Sequence, residues 1–330
     1  MRTNRAAHRT VNKWLPPKVK GRYGLHAGSI NYGVSSAEAE AMLDTPIPYA
    51  TTYTDLLAWL LLSLPAPTRY LEIGVSVGKN LHALTRTVAK FGSRTGDVTL
   101  YALDLERFNP MLVSSYPPID ATCQRWRTPA VVDDGSGAPT LKADEGSSVC
   151  EHTIADADTG TRMRLLYTSA DLKTHAAWIA IAASLVSGSG SGGSDSGGNA
   201  FDLVFSDAWH AAAAVQWELR QLLGRQLLSR RAVVVWDDLN TPAMRDAFGY
   251  CCAELRRSHP AVQPGTPDSE DEEPDRIECF FSAVTSGFVV ANHSDIIGIA
   301  GPARVLAASA VRLVLPSLLR LEDFGFTVPE

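Results

Sequence analysis

Short apolar runs alternate with helical stretches along most of this chain. Seven apolar runs bounded by turn-forming or acidic residues are predicted to be strands, at 70–75, 98–106, 162–171, 201–210, 231–240, 278–284 and 287–293. Helices are predicted between the earlier runs, at about 79–91, 171–185, 211–228 and 242–257. Strands that are apolar on both faces and alternate with helices indicate a parallel sheet covered on both sides. The last two runs are joined by the short "TSG", which predicts a terminal hairpin.

Acidic residues stand at the ends of four consecutive predicted strands. Asp104 ends the second strand, Asp171 follows the third, Asp207 follows the fourth, and Asp237 with Asp238 follows the fifth. A single acid at such a place is commonly a helix cap. In an open α/β sheet, however, ligands bind beyond the carboxyl ends of the strands. Four acidic ends on one edge therefore favour a binding site there.

The first strand ends in a glycine turn, within "RYLEIGVSVGKNLHAL" at 69–84. A phosphate loop needs four residues between its glycines and then Lys followed by Ser or Thr. Here only "VSV" separates Gly74 from Gly78, and Asn80 follows Lys79, so this reading fails. The dinucleotide pattern G-x-G-x-x-G is also absent. What remains is an acid at Glu72 and G-x-x-x-G opening a helix, which suits either close approach of a ligand or a plain βα turn.

Composition limits the class of protein. The 330 residues are 45% hydrophobic and 20% charged, which suits one large or two small domains with a sizeable core. The net charge of −6 gives no case for nucleic-acid binding. Five cysteines, of which only Cys251 and Cys252 are close together, favour a reducing, cytoplasmic compartment. The run "LLAWLLLSLPAP" is too short to span a bilayer and is predicted to be a buried helix before the first strand.

Several segments differ from the rest of the chain. Residues 1–54 form a basic arm without an acid before Glu38, which could be a solvated extension, a lid, an anionic-partner contact or an organellar import signal. Residues 55–330 are predicted to be the main domain. Three insertions are predicted in it: an irregular region at about 107–161, a Gly/Ser linker at 186–199 and an acidic loop at 264–275.

The segment "LEIGVSVGKN" is similar to the E/D-x-G-x-x-x-G motif of the class I S-adenosylmethionine-dependent methyltransferases. The resemblance covers about residues 55–300 and implies a Rossmann-like, open, mostly parallel sheet of seven strands, with helices on both faces and a terminal antiparallel hairpin. It also implies that S-adenosylmethionine contacts residues of the glycine turn and neighbouring strand ends: Glu72, Gly74, Ser76, Gly78, Asn80, Asp104, Ser169, Ala170, Asp171 and Asp207.

The resemblance assigns separate roles within this set. Glu72 and the glycine backbone would face the methionine part of the cofactor, with Asn80 near its carboxylate. Asp104 would bind both ribose hydroxyls, as a carboxylate can. Because the gap between Glu72 and Asp104 is long, Glu106 is a rival for that role. Asp171 would accept from the adenine amino group.

The segments "SDAWH" and "WDDLN" resemble the metal-dependent O-methyltransferases, both the catechol type and its sugar- and antibiotic-modifying relatives. In these an acid after the fourth strand and a pair after the fifth hold Mg²⁺, which here implies Asp207, Asp237 and Asp238 as ligands. Asn240 is a reserve ligand. His210 lies three residues after Asp207 and is the candidate general base, so these two are the expected catalytic residues.

The expected function is S-adenosylmethionine-dependent methylation of a small-molecule hydroxyl, assisted by Mg²⁺. Trp209 and Trp236 could line the acceptor site or belong to the core. A homodimer is compatible with the sequence, and neither nucleic acid nor a membrane span is expected. Three alternatives stay open: a metal-free O- or N-methyltransferase, a catalytically silent S-adenosylmethionine-binding interaction module, and an aminopropyl transfer enzyme.

Overall fold

A computed structural model of the chain describes residues 53–64, 68–75, 80–81, 84, 98–105, 148–155, 162–188, 200–263, 274–285, 294–309 and 319–320. Several predictions lie outside these residues: the arm before residue 53, Ser76, Gly78, Lys79, Glu106 and the strand at 287–293.

The described residues form nine strands, five α-helices and a short 3₁₀ turn. The strands are β1 Thr68–Ile73, β2 Val98–Asp104, β3 Ser148–Ala155, β4 Arg162–Ser169, β5 Phe201–Ser206, β6 Leu228–Trp236, β7 Ile277–Thr285, β8 Ser294–Pro302 and β9 Leu319–Arg320. The helices are α1 Tyr53–Ser63, α2 His175–Gly188, α3 Ala212–Gly224, α4 Pro242–Ser258 and α5 Ala303–Ala308, and the 3₁₀ turn is Pro260–Val262. None of these helices combines the length and apolar character needed to cross a membrane.

All nine strands belong to one sheet, in the order β3-β4-β2-β1-β5-β6-β8-β7-β9. The neighbours from β4 to β6 are parallel, whereas β8 is antiparallel to both β6 and β7. Without the edge strands β3 and β9, the seven central strands follow the order 3-2-1-4-5-7-6, which is that of the class I methyltransferase fold. The predicted Rossmann-like sheet with a terminal antiparallel hairpin is therefore confirmed.

Two apolar layers cover the sheet. One contains α1 and α5, and the other contains α2, α3 and α4. Neighbouring residues of one strand enter opposite layers, as Val204 and Phe205 do in β5. Every residue of β5 is buried, which explains why its centre, Leu203, Val204 and Phe205, is apolar on both faces rather than alternating.

The structure also differs from the prediction at three places. The region 107–161 contains a strand, β3, which pairs antiparallel with β4. The strand that pairs with β7 is Ser294–Pro302, which lies after the predicted segment. Helix α3 ends at Gly224, before the predicted end at 228, because Gln226 adopts a left-handed conformation (φ 54°) and β6 begins at Leu228.

Candidate functional site

The order of the parallel strands reverses between β1 and β5, and this switch point is where ligands bind in open α/β sheets. Gly74 follows β1 there and Asp207 follows β5. The N–H of Gly74 donates to Leu103 O at 2.8 Å, and the N–H of Asp207 donates to Ile73 O at 2.8 Å. The residues after the strands therefore continue the sheet's hydrogen bonding and hold this edge rigidly.

Gly74 has a left-handed backbone, with φ +85°, as the glycine motif predicts. A Cβ atom at this position would lie 2.3 Å from Asp207 O and 2.5 Å from Ala208 Cα. The main reason for glycine at this position is therefore the close contact between the turn after β1 and the turn after β5, which leaves no room for a side chain.

Glu72 lies in a buried polar network behind the turn. The Tyr70 hydroxyl donates to Glu72 Oε2 at 2.8 Å, and Asn80 Nδ2 donates to the same oxygen at 3.1 Å. The Thr54 hydroxyl of α1 in turn donates to Asn80 Oδ1 at 2.8 Å. The network ties β1 and α1 to Asn80. The side chains of Glu72 and Asn80 are thus engaged in the interior.

Burial also changes the charge of this network. Desolvation raises the pKa of Glu72 to about 8, although the hydrogen bonds from Tyr70 and Asn80 lower it. The pKa of Tyr70 is raised well above its ordinary value, first by burial and then by Glu72. Both groups are therefore mainly neutral at pH 7, and the network places no charge in the apolar layer.

The predicted ribose and adenine residues lie together at the ends of β2 and β4. Asp104 is opposite Ser169 in the sheet, and Asp104 O accepts from the N–H of Ala170 at 2.8 Å. Asp171 is exposed, and its Oδ1 accepts from the N–H of Lys173 at 3.0 Å, which shapes the turn into α2. The structure thus brings Asp104, Ser169 and Ala170 together, while Asp171 also serves the local turn.

Three side chains converge after β5 and β6. One oxygen or nitrogen atom from each of Asp207, His210 and Asp238 lies within 4.8 Å of the others. His210 Nδ1 lies 2.6 Å from Asp238 Oδ2, and the two side chains are 54% and 33% exposed. A carboxylate at this distance orients the imidazole.

Asp237 is not part of this convergent group. It is buried, and its Oδ1 accepts from the N–H of Asp238 at 2.9 Å. That contact supports the left-handed backbone of Asp238 (φ 57°), a conformation that Asp tolerates better than most residues. Asn240 Oδ1 accepts from the N–H of Ile296 at 3.0 Å and so links this turn to β8. The group that the structure brings together thus contains two of the three acids expected to hold the metal, and the imidazole of His210.

A buried acid that sequence reasoning missed lies behind this group. Glu218 of α3 accepts a hydrogen bond from Ser206 Oγ at 2.6 Å, and burial raises its pKa to about 7, against the lowering effect of that bond. Glu218, His210 and Trp236 line a recess of about 10 Å³. The signal in the sequence was an acid at a position spaced with the apolar residues of α3, a face that also buries Gln221.

The two tryptophans considered for the acceptor site have different surroundings. Trp236 is 1% exposed and packs edge-on against Phe248, with ring centroids 5.6 Å apart, so it belongs to the core. Trp209 is half-buried, and Lys173 Nζ lies 4.2 Å from its ring centroid. Trp209 therefore forms part of the edge beside His210.

No protein-family model matches the sequence, and no similar sequence was found among curated proteins. Solved structures gave distant matches. The O-methyltransferase TomG from Streptomyces achromogenes, involved in tomaymycin synthesis, was solved with SAM; it has 16% identity, a TM-score of 0.38, and coverage of 92% of this chain and 99% of its own. CalS11, a TDP-rhamnose 3'-O-methyltransferase of calicheamicin biosynthesis, has 11% identity and a TM-score of 0.38, and the match covers 81% of this chain and 92% of CalS11. An O-methyltransferase from Bacillus cereus in complex with SAH has 13% identity and a TM-score of 0.38, and the match covers 90% of this chain and 97% of that protein. At such scores the fold assignment rests on the strand order of this chain itself.

Proposed function

We propose that this protein is an S-adenosylmethionine-dependent methyltransferase that acts on the hydroxyl group of a small molecule. The observation that carries the proposal is the His210–Asp238 pair, which lies with Asp207 at the switch-point edge, beside the turn that begins at Gly74. Methyl transfer to oxygen requires a base for the hydroxyl proton, and the carboxylate of Asp238 orients that base.

The cofactor would lie across the ends of β1, β2 and β4. Gly74 begins the turn that follows β1, and Asp104 at the end of β2 offers a carboxylate that can accept from a diol. Ser169 and Ala170 lie beside Asp104 and would contact the adenine side. Glu72 supports this site from behind through the buried network, rather than as a charged ligand.

The chemistry of the base follows from its hydrogen bond. Asp238 accepts from the Nδ1–H of His210, so the tautomer that it favours carries its lone pair on Nε2. Nε2 would take the proton of the acceptor hydroxyl as the oxygen attacks the methyl carbon, and the sulfonium sulfur would keep the electrons of the broken bond. The methyl group is already activated, so the protein mainly aligns oxygen, carbon and sulfur.

The residues do not fit the Mg²⁺ that the resemblance implies. Mg²⁺ prefers oxygen ligands, and the expected set required Asp237 to join Asp207 and Asp238. Asp237 instead supports the turn, and the third donor near the carboxylates is the imidazole of His210. The proposed reaction therefore has no step that depends on Mg²⁺.

The test separates cofactor binding from the base. S-adenosylhomocysteine binding is measured by calorimetry, and methyl transfer is measured with a panel of hydroxyl acceptors in excess EDTA. We expect Asp104→Ala to weaken S-adenosylhomocysteine binding by about tenfold or more, the scale of a lost charge-assisted hydrogen bond. His210→Gln should keep that affinity and slow methyl transfer by about 10² to 10⁴. Unchanged turnover in His210→Gln would refute the base, and ATP binding without S-adenosylhomocysteine binding would refute the cofactor.

A further inference from the structure

The group formed by Asp207, His210 and Asp238 has the composition of a metal site, although of a different kind from the one expected. Its donors come from the end of β5, the start of the following loop and the end of β6, and one atom of each lies within 4.8 Å of the others. Asp207 and Asp238 are half-buried and His210 is exposed, so an ion could enter from solvent.

We propose that these three side chains bind a divalent transition-metal ion, best represented by Zn²⁺ or Co²⁺. We also propose that this ion inhibits methyl transfer, because it binds His210, the general base of the proposed reaction. Imidazole suits Zn²⁺ and its neighbours in the first transition row, whereas Mg²⁺ prefers oxygen ligands and keeps much of its water. Two carboxylates and one imidazole give three protein ligands, which leaves one tetrahedral position for water.

The His210–Asp238 pair needs only a small change to accept the ion. His210 Nδ1 and Asp238 Oδ2 are 2.6 Å apart, which is a hydrogen-bond distance. Ligands of a tetrahedral Zn²⁺ lie about 3.3 Å from one another, given bonds of about 2 Å. The pair must therefore open by less than about 1 Å, and both side chains have solvent on one side.

Metal binding and base function exclude each other, whichever nitrogen binds. If the ion takes Nδ1, the ring proton moves to Nε2 and no lone pair remains for the acceptor proton. If it takes Nε2, the lone pair itself is used. Since the ligand must be a neutral imidazole, protons compete with the ion, and the affinity should fall as the pH is lowered. The inhibitory effect, unlike the binding, rests on the proposed function.

The binding experiment uses the full chain after removal of metals with a chelator. Zn²⁺, Co²⁺ and Mg²⁺ are titrated by calorimetry, and Co²⁺ is also followed by its visible absorption, which reports coordination directly. We expect one Zn²⁺ per chain, bound at least about 100-fold more tightly than Mg²⁺, and loss of at least about 100-fold in affinity in His210→Ala and in Asp207→Asn.

Two variants serve as matched controls. Asp237→Asn keeps an oxygen for the Asp238 N–H and should leave Zn²⁺ affinity within about threefold, since Asp237 is outside the group. His175→Ala removes another exposed histidine, on α2, and should also leave Zn²⁺ affinity within about threefold. Zn²⁺ affinity unchanged in His210→Ala, or equal affinity for Mg²⁺ and Zn²⁺, would overturn the proposal.

The activity experiment keeps the failures of the two proposals distinct. With an accepted substrate, stoichiometric Zn²⁺ should suppress methyl transfer more than tenfold, EDTA should restore it, and Mg²⁺ should have no effect. Zn²⁺ bound at this site with full turnover would overturn the inhibitory part. If no acceptor is methylated, the proposed function fails, whereas the calorimetric and absorption results still decide whether the metal site exists.

Discussion

Gly74 is the residue where the sequence motif and the structure give different physical reasons for the same amino acid. The motif suggested that glycine leaves room for a ligand, but a Cβ would first meet the backbone of the neighbouring turn, 2.3 Å from Asp207 O. We therefore expect Gly74→Ala to destabilise the fold by more than about 4 kcal/mol, a loss that few point substitutions reach. Chemical denaturation followed by circular dichroism measures it.

Gly224 provides the control for this prediction, because a Cβ there meets nothing within 4 Å. Gly224→Ala, at the end of α3, should change the free energy of unfolding by less than about 1 kcal/mol. A Gly74→Ala protein with wild-type stability would show that the two turns can separate without cost. A Gly74 variant that loses cofactor binding would, for the same reason, not by itself prove contact with a ligand.

Single residues at the candidate site differ in how far the sequence could place them. The acids at the ends of β2, β5 and β6 follow from the strand pattern, and the structure brings Asp207 and Asp238 together with His210. The different orientation of Asp237 was not predictable. It depends on a left-handed backbone at Asp238 and on which of two adjacent acids accepts a backbone N–H. Glu218 was missed because the apolar periodicity of α3 shows which face is buried, but an acid on that face does not by itself indicate a site.

At the scale of elements, a buried hydrogen bond 2.8 Å long connects Thr54 of α1 to Asn80. Thr54→Val keeps the side-chain shape but leaves Asn80 Oδ1 without this donor. We expect a loss of about 1–3 kcal/mol in the free energy of unfolding, the cost of an unsatisfied buried polar group. Ser63→Ala, on the exposed end of α1, should lose less than about 0.5 kcal/mol. Equal stabilities of the two variants in urea denaturation would contradict this role.

The elements show which parts of the fold a single sequence determines. The strands β1, β2, β4, β5 and β6 were found because each is apolar on both faces and ends in a polar turn. Strand β3 lies in a region where the sequence shows no helical or strand periodicity, and it forms by antiparallel pairing with β4. Strand β8 contains two glycines and a proline, which lower its local strand signal, so the prediction fell on the more apolar segment before it.

At the scale of the whole molecule, the layers on both faces of the sheet contain ionisable groups whose burial makes stability depend on pH. Burial raises the pKa of Glu72 to about 8 and that of Glu218 to about 7. Burial lowers the pKa of His259 to about 4, despite its hydrogen bond to Ala232 O. His259 therefore destabilises the fold as the pH falls from about 6.5 towards 4, whereas the two acids act in the opposite direction.

The sign for Glu72 follows from proton binding. Between its ordinary pKa near 4.5 and the raised value of about 8, the folded chain holds a proton that the unfolded chain has lost. The stability that Glu72 contributes is therefore complete below pH 4.5 and is lost as the pH rises through 8, by at most about 1.4 kcal/mol per pH unit. The side chain of Gln in Glu72→Gln cannot titrate. The difference between the wild-type free energy of unfolding and that of the variant should therefore fall across this window, and for Glu218→Gln the fall should end near pH 7.

Urea denaturation at half-unit intervals from pH 4 to 9 measures both differences, and the subtraction cancels the opposite slope from His259. Curves of wild type and Glu72→Gln that stay parallel over the whole range would show that Glu72 is ionised in the folded protein, and that the buried network is charged.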